Sequence, residues 1–207
     1  MLTPNLSSYD PAYDPYPSGH GNTGDLARAR DELRQCGHPA GFSTTLATMG
    51  SGFSLAASTA EQQALSRVGI RVTLDPFHVN DYYPWISSPA HIRNFHIGLE
   101  MLGWGPDFPT EYGFWDALVN SRSIQSGNNF AELTDPAVRA DLVMAASSGH
   151  VAVRLAAYKD LEHQVMSDAV YLPLISMRSI YYRNPHLTNL YVQPAFGAYD
   201  LMAIGVT

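Results

Sequence analysis

Apolar residues first fall into a regular rhythm at 26–36, where Leu26, Ala29, Leu33 and Cys36 recur at helical spacing. Asp25 stands where a cap is needed, and Gly37 followed by Pro39 ends the run. Over 42–49 the period drops to two in a threonine-rich stretch, the signature of a strand. Ser58 and Glu61 form a capping box that predicts a second helix, with Ala60, Ala64, Leu65 and Val68 inward and Gly69 at its end. Ile70, Val72 and Leu74 then alternate with Arg71, Thr73 and Asp75, a half-buried strand. Helix, strand, helix, strand in that order points to an α/β layer with right-handed crossovers.

Downstream, the aromatic stretch 78–87 is compatible with a helix, and the apolar run 92–102 reads as a third strand. A helix is expected over 112–120, then a polar loop over 121–130. Thr134 or Asp135 caps a further helix with Pro136 in its first turn. The last long helix carries Val151, Leu155, Tyr158, Leu161 and Val165 on one face. Strands are predicted over 169–175, 178–182 and 201–206. Before all of this, 1–24 is rich in proline, glycine and tyrosine and reads as an irregular segment lying along a surface.

Composition narrows the partners. The chain has 207 residues, 45% of them hydrophobic, enough to bury a core. Its formal net charge is −7 with only 12 Lys and Arg and no basic cluster, which argues against nucleic acid. The single cysteine, Cys36, rules out an intrachain disulfide and a cysteine-based zinc site, and its place in the helical stripe predicts a buried structural thiol. No apolar run has the length of a membrane span, and 1–16 does not resemble a signal peptide.

The most distinctive local sequence is Gly103-Trp104-Gly105-Pro106-Asp107, directly after a predicted strand. Ligands in open α/β sheets gather outside the carboxyl ends of strands. Glycines there admit a ligand backbone, and Asp107 is suited to hold an ammonium group. The plainer alternative makes Trp104 core and Asp107 a cap. Catalytic and metal patterns are missing. His91 and His96 fall on opposite faces of the expected strand, and His150 and His163 are more than three helical turns apart. The glycine-rich stretch 18–25 lacks the lysine of a phosphate loop, and Gly50-Ser51-Gly52 is not a nucleophile elbow. Asp160 and Glu162 point to different helix faces and are no acid–base pair.

Together these segments resemble the family 5 extracellular solute-binding proteins, the group of dipeptide- and oligopeptide-binding proteins. The resemblance is carried in order by 25–33 with 36–42, by 64–72, by 103–108, by Gly127-Asn128-Asn129 and by 171–174. It implies an α/β fold, a mixed sheet flanked by helices, forming one lobe of a two-lobed binding protein. On that basis 25–175 form the second lobe and 176–207 return to the first, which lies outside these residues together with any signal and lipid anchor. The implied role is capture of a peptide, or another small solute, for an ABC permease in the membrane, outside the cell or in the periplasm. No cofactor, metal or catalysis is implied. The implied ligand contacts are Gly103, Trp104, Gly105, Asp107 and Asn129. The family also contains oligosaccharide, nickel and haem binders, and a peptide sensor uncoupled from import would use the same parts.

Overall fold

The computed structural model describes residues 1–18, 23–124, 126, 128–193 and 198–207. The chain divides into two compact units, one of residues 14–103 with 124–130, the other of 1–13, 104–123 and 131–207.

The first unit is built on three parallel strands, β1 (Ser43–Met49), β2 (Arg71–Phe77) and β3 (Ile97–Glu100), in the order β2-β1-β3. The central strand is covered on both faces, as its unbroken run of buried Leu46, Ala47 and Thr48 requires. Because side chains alternate, Leu46 joins Val72 and Met101 in one cluster, with Ala57 and Leu65 of α2 (Gly52–Ser66) packed against it. Ala47 joins Ile97, Tyr82 and Ile86 in a second cluster, the last two from α3 (Val79–Ile86). Ahead of the sheet, α1 (Leu26–Gln35) is capped by Asp25, which accepts from the amides of Ala27 and Arg28. The α/β order read from the sequence is thus present, and the antiparallel pairing of the chain lies in two short ribbons of the other unit.

Two glycines let the chain ahead of β1 cross closely over the turn between α2 and β2. Gly41 and Gly69 both have positive φ, and a Cβ on Gly41 would stand 2.0 Å from the Gly69 carbonyl oxygen.

The second unit is helical: α5 (Glu111–Val119), a short 3-10 turn (Ser121–Ile124) that starts in it, α6 (Pro136–Ser147) and α7 (Val151–Ser167). Asp135 rather than Thr134 caps α6, accepting from the amide of Ala137 at 2.7 Å. The extreme amino-terminal residues belong to this unit's core. Leu2 and Leu6 are buried, and the amide and hydroxyl of Ser8 donate to the buried Glu111 carboxylate. Glu162 likewise accepts from the Leu2 amide at 2.9 Å and pairs with the Met1 ammonium.

Several expectations fail, each for a local reason. The second helix begins at Gly52, ahead of the Ser58–Glu61 box; Ser58 is buried and donates to the Thr48 hydroxyl of β1 at 2.9 Å. The run 92–102 splits, because Ser88 and Pro89 start a short helix, α4 (Pro89–Asn94), and His96 turns the chain at φ 53° before β3. Cys36 is exposed, since it is the C-cap of a helix that buries only Leu33. Val151 is exposed at the start of α7, while Tyr158, Leu161 and Val165 are buried. Residues 169–182 form no paired strand, and of 201–206 only Gly205–Val206 pairs, as β7 with β4 (Leu187–Thr188). The other ribbon joins β5 (Val192–Gln193) to β6 (Ala198–Tyr199).

Candidate functional site

The loop that leaves β3 is held from the sheet side by two neighbouring tyrosines of α3. The Tyr82 hydroxyl is buried 2.8 Å from the Ala47 carbonyl oxygen and 2.9 Å from that of Met101, tying β1 to β3 near their carboxyl ends. Burial first, then the Glu100 carboxylate, raises the pKa of that phenol well above its ordinary value. The Tyr83 hydroxyl accepts from the Gly103 amide at 3.2 Å and lies 3.5 Å from the Gly103 carbonyl oxygen. The sequence shows this pair only as part of an aromatic helix; its role follows from which turn of α3 faces the sheet.

Beyond Gly103 the loop belongs to the helical unit. Trp104 is half-buried, and its indole N–H donates to the Phe114 carbonyl at 3.0 Å, which fixes the ring against α5. Gly105 is exposed, with nothing within 4 Å of where a Cβ would stand. Asp107 is exposed too. Its amide donates to the Gly113 carbonyl at 3.2 Å, which folds the loop back on the first turn of α5. The cap of that helix is Thr110, whose hydroxyl accepts from the Gly113 amide at 3.1 Å. The Asp107 carboxylate therefore has no capping duty, and it makes no hydrogen bond or ion pair among the described residues. The Phe108 ring packs where a side chain on Gly113 would be, and it stacks with Tyr112 at 6.4 Å.

Asn129 lies in the sheet unit, as does Gly103; it is 2% exposed and has a partner. Gly127 lies outside the described residues, as do 19–22 of the glycine-rich stretch near the amino terminus. Among the described residues, no cluster of three or more His, Cys, Asp or Glu is arranged to hold a metal ion, and no helix is long and apolar enough to cross a membrane.

Within the helical unit, an exposed, unpaired carboxylate beside a fixed tryptophan is chemically suited to a cationic group. The structure superposes over its whole length on clavulanic acid biosynthesis oligopeptide binding protein 2, with TM-score 0.94 and 37% identity, covering 38% of that protein. The chain is a relative of the peptide-type solute-binding proteins. In sequence it is 26% identical over 198 residues to the glutathione-binding protein GsiB of Pectobacterium atrosepticum, covering 92% of this chain and 36% of that one. It also matches the peptide transport periplasmic protein SapA of Salmonella typhimurium, at 26% identity over 115 residues. A dipeptide-binding protein from a Pseudoalteromonas species, solved with Met-Leu, shares the fold at TM-score 0.73 and 20% identity. No family model matches the chain. The chain spans little more than a third of the length of the relatives it matches. These relatives are binding proteins of transport systems, and their two-lobed fold is the one of which this chain forms a part.

Proposed function

We propose that this chain is one lobe of a periplasmic or extracellular solute-binding protein that captures a peptide and hands it to an ABC permease, without chemical turnover. The observation that carries the reading is the match along the entire chain to an oligopeptide-binding protein. The free carboxylate of Asp107 supports it, since a peptide's α-ammonium is the natural partner for an exposed, unpaired acid. The proposed ligand contacts are Trp104, Gly105 and Asp107 in the helical unit, and Gly103 and Asn129 in the sheet unit. Glutathione, a tripeptide with a free ammonium, is the first solute to test, given the names of the relatives.

The carboxyl-terminal stretch fits the same reading. Residues 170–182 belong to no helix or strand, and Ile180 is 96% and Tyr182 84% exposed. Burying such side chains gains roughly 1.5–3 kcal/mol each, so leaving a row of them in water is unfavourable. In this proposal 176–207 return to a first lobe that covers them, and a lipid anchor tethers the complete protein to the membrane.

The test is mass spectrometry of small molecules that co-purify with the complete protein from its native host, without refolding. Peptides bound to the wild type and depleted in Asp107→Ala support both the solute class and the ammonium site. Sugars, haem or nickel in their place would remove the peptide assignment, and turnover of any bound peptide would remove the non-catalytic one.

A further inference from the structure

Gly103 lies just beyond β3, at the limit of the sheet unit, and it is exposed. Its backbone is nevertheless engaged. The Tyr83 hydroxyl accepts from the Gly103 amide at 3.2 Å and stands 3.5 Å from the Gly103 carbonyl oxygen, to which it is placed to donate. A phenol is both donor and acceptor, so one oxygen serves both groups. An antiparallel strand meets the same demand, because the two residues of a hydrogen-bonded pair exchange both N–H···O bonds. The hydroxyl thus stands where one residue of an added, extended peptide would stand.

The two tyrosines of α3 differ in what it takes to move them. Tyr82 is fully buried, and moving it would break bonds to the carbonyls of Ala47 and Met101 in the core. Tyr83 is 37% exposed, with its ring set edge-on to Tyr82 at a centroid distance of 5.3 Å. Among the described residues its hydroxyl bonds only the Gly103 peptide. Turning Tyr83 outward therefore gives up contacts at the surface and leaves the Tyr82 tie between β1 and β3 intact. One tyrosine is a fixed strut and its neighbour is free to swing.

We propose that Tyr83 is a latch on the solute site: its hydroxyl occupies the Gly103 peptide group before capture and is displaced when the backbone of the solute takes that place. This deepens the peptide-capture reading and rests on it. The exchange swaps like for like, since a peptide residue brings the acceptor and the donor that the phenol withdraws. A latch weakens apparent affinity by the fraction of molecules in which it is open, so an open fraction of about one tenth raises the apparent Kd about tenfold. Tyr83 is thereby a residue that sets affinity without being consumed in the bound state.

Tyr83→Phe keeps the ring and its contact with Tyr82 and deletes only the oxygen, so the melting temperature should stay within about 2 °C of the wild type. Two measurements separate the parts of the proposal. The first is amide hydrogen exchange of the 207-residue chain without ligand, in which Gly103 should exchange about three- to tenfold faster in the variant. The second is calorimetry of the complete protein with trialanine, in which the variant should bind about three- to tenfold tighter, because a competitor for Gly103 has been removed. A residue that merely supports the loop predicts the opposite sign. Equal exchange at Gly103 in the two proteins, or trialanine binding that is unchanged or weaker in the variant, would each overturn the latch. Faster exchange in the variant with no trialanine bound by either protein would overturn the peptide reading, and the displacement step with it.

Discussion

Asp107→Asn removes one charge and almost nothing else. The carboxylate is exposed and makes no bond or ion pair among the described residues, and the loop is held by the Asp107 amide, the Thr110 cap and the Trp104 indole, none of which the substitution touches. Folding stability should therefore stay within about 0.5 kcal/mol of the wild type, as for surface changes away from structural contacts. Binding is different. An ammonium about 3 Å from the carboxylate gains roughly 1.4 kcal/mol at the dielectric of water and several times that at an effective value near 20. Part of the second figure is spent on desolvating the two ions, so a net loss of about 1.5–3 kcal/mol, or roughly 10- to 150-fold in affinity, is expected. The assay is calorimetry at pH 7 on the complete protein, with trialanine and with N-acetyl-trialanine as the ligand that lacks the charge. Wild type should discriminate strongly between the two and Asp107→Asn hardly at all. Equal binding of trialanine by both proteins, or tight binding of the acetylated peptide by the wild type, would refute the ammonium assignment.

Tyr158 is buried in the helical unit, and burial, reinforced by the Glu111 carboxylate, pushes its phenol up to about 12. The neutral form is thus favoured by folding: the stability it contributes is intact below pH 10 and is lost as pH rises from about 10 to 12, so chemical denaturation across that window should show a decline that Tyr158→Phe makes shallower. Gly41→Ala should cost about 2–4 kcal/mol in urea unfolding, because it adds a positive-φ penalty to a Cβ placed 2.0 Å from the Gly69 carbonyl oxygen. Gly37→Ala, also at positive φ but with nothing within 4 Å, should cost nearer 1 kcal/mol. Ser58→Ala leaves the buried Thr48 hydroxyl without its donor and should cost about 1–3 kcal/mol, read as a lower urea midpoint.

Elements whose cause is local were legible in the residues. Asp25 and Asp135 cap the helices they precede, and the alternation over 70–75 lies within or beside β2, because a cap and a period of two need only a few consecutive side chains. The Gly103–Asp107 loop was likewise visible, since glycine, proline and tryptophan together fit no regular element. Tertiary packing decided the remainder. Serine is both a good cap and a small polar filler, so Ser58 could be read as a helix start until Thr48 was seen beside it. The buried Leu2 and Ser8 bond Glu162 and Glu111, more than 100 residues away, and no local pattern carries that information. Residues 169–182 have strand composition but pair with no strand among the described residues, and pairing is a property of two segments. The exposure of Cys36 and the buried, partnered state of Asn129 are of the same kind. Residue type sets what a side chain is able to do, whereas the surfaces brought against it set which of those things it does.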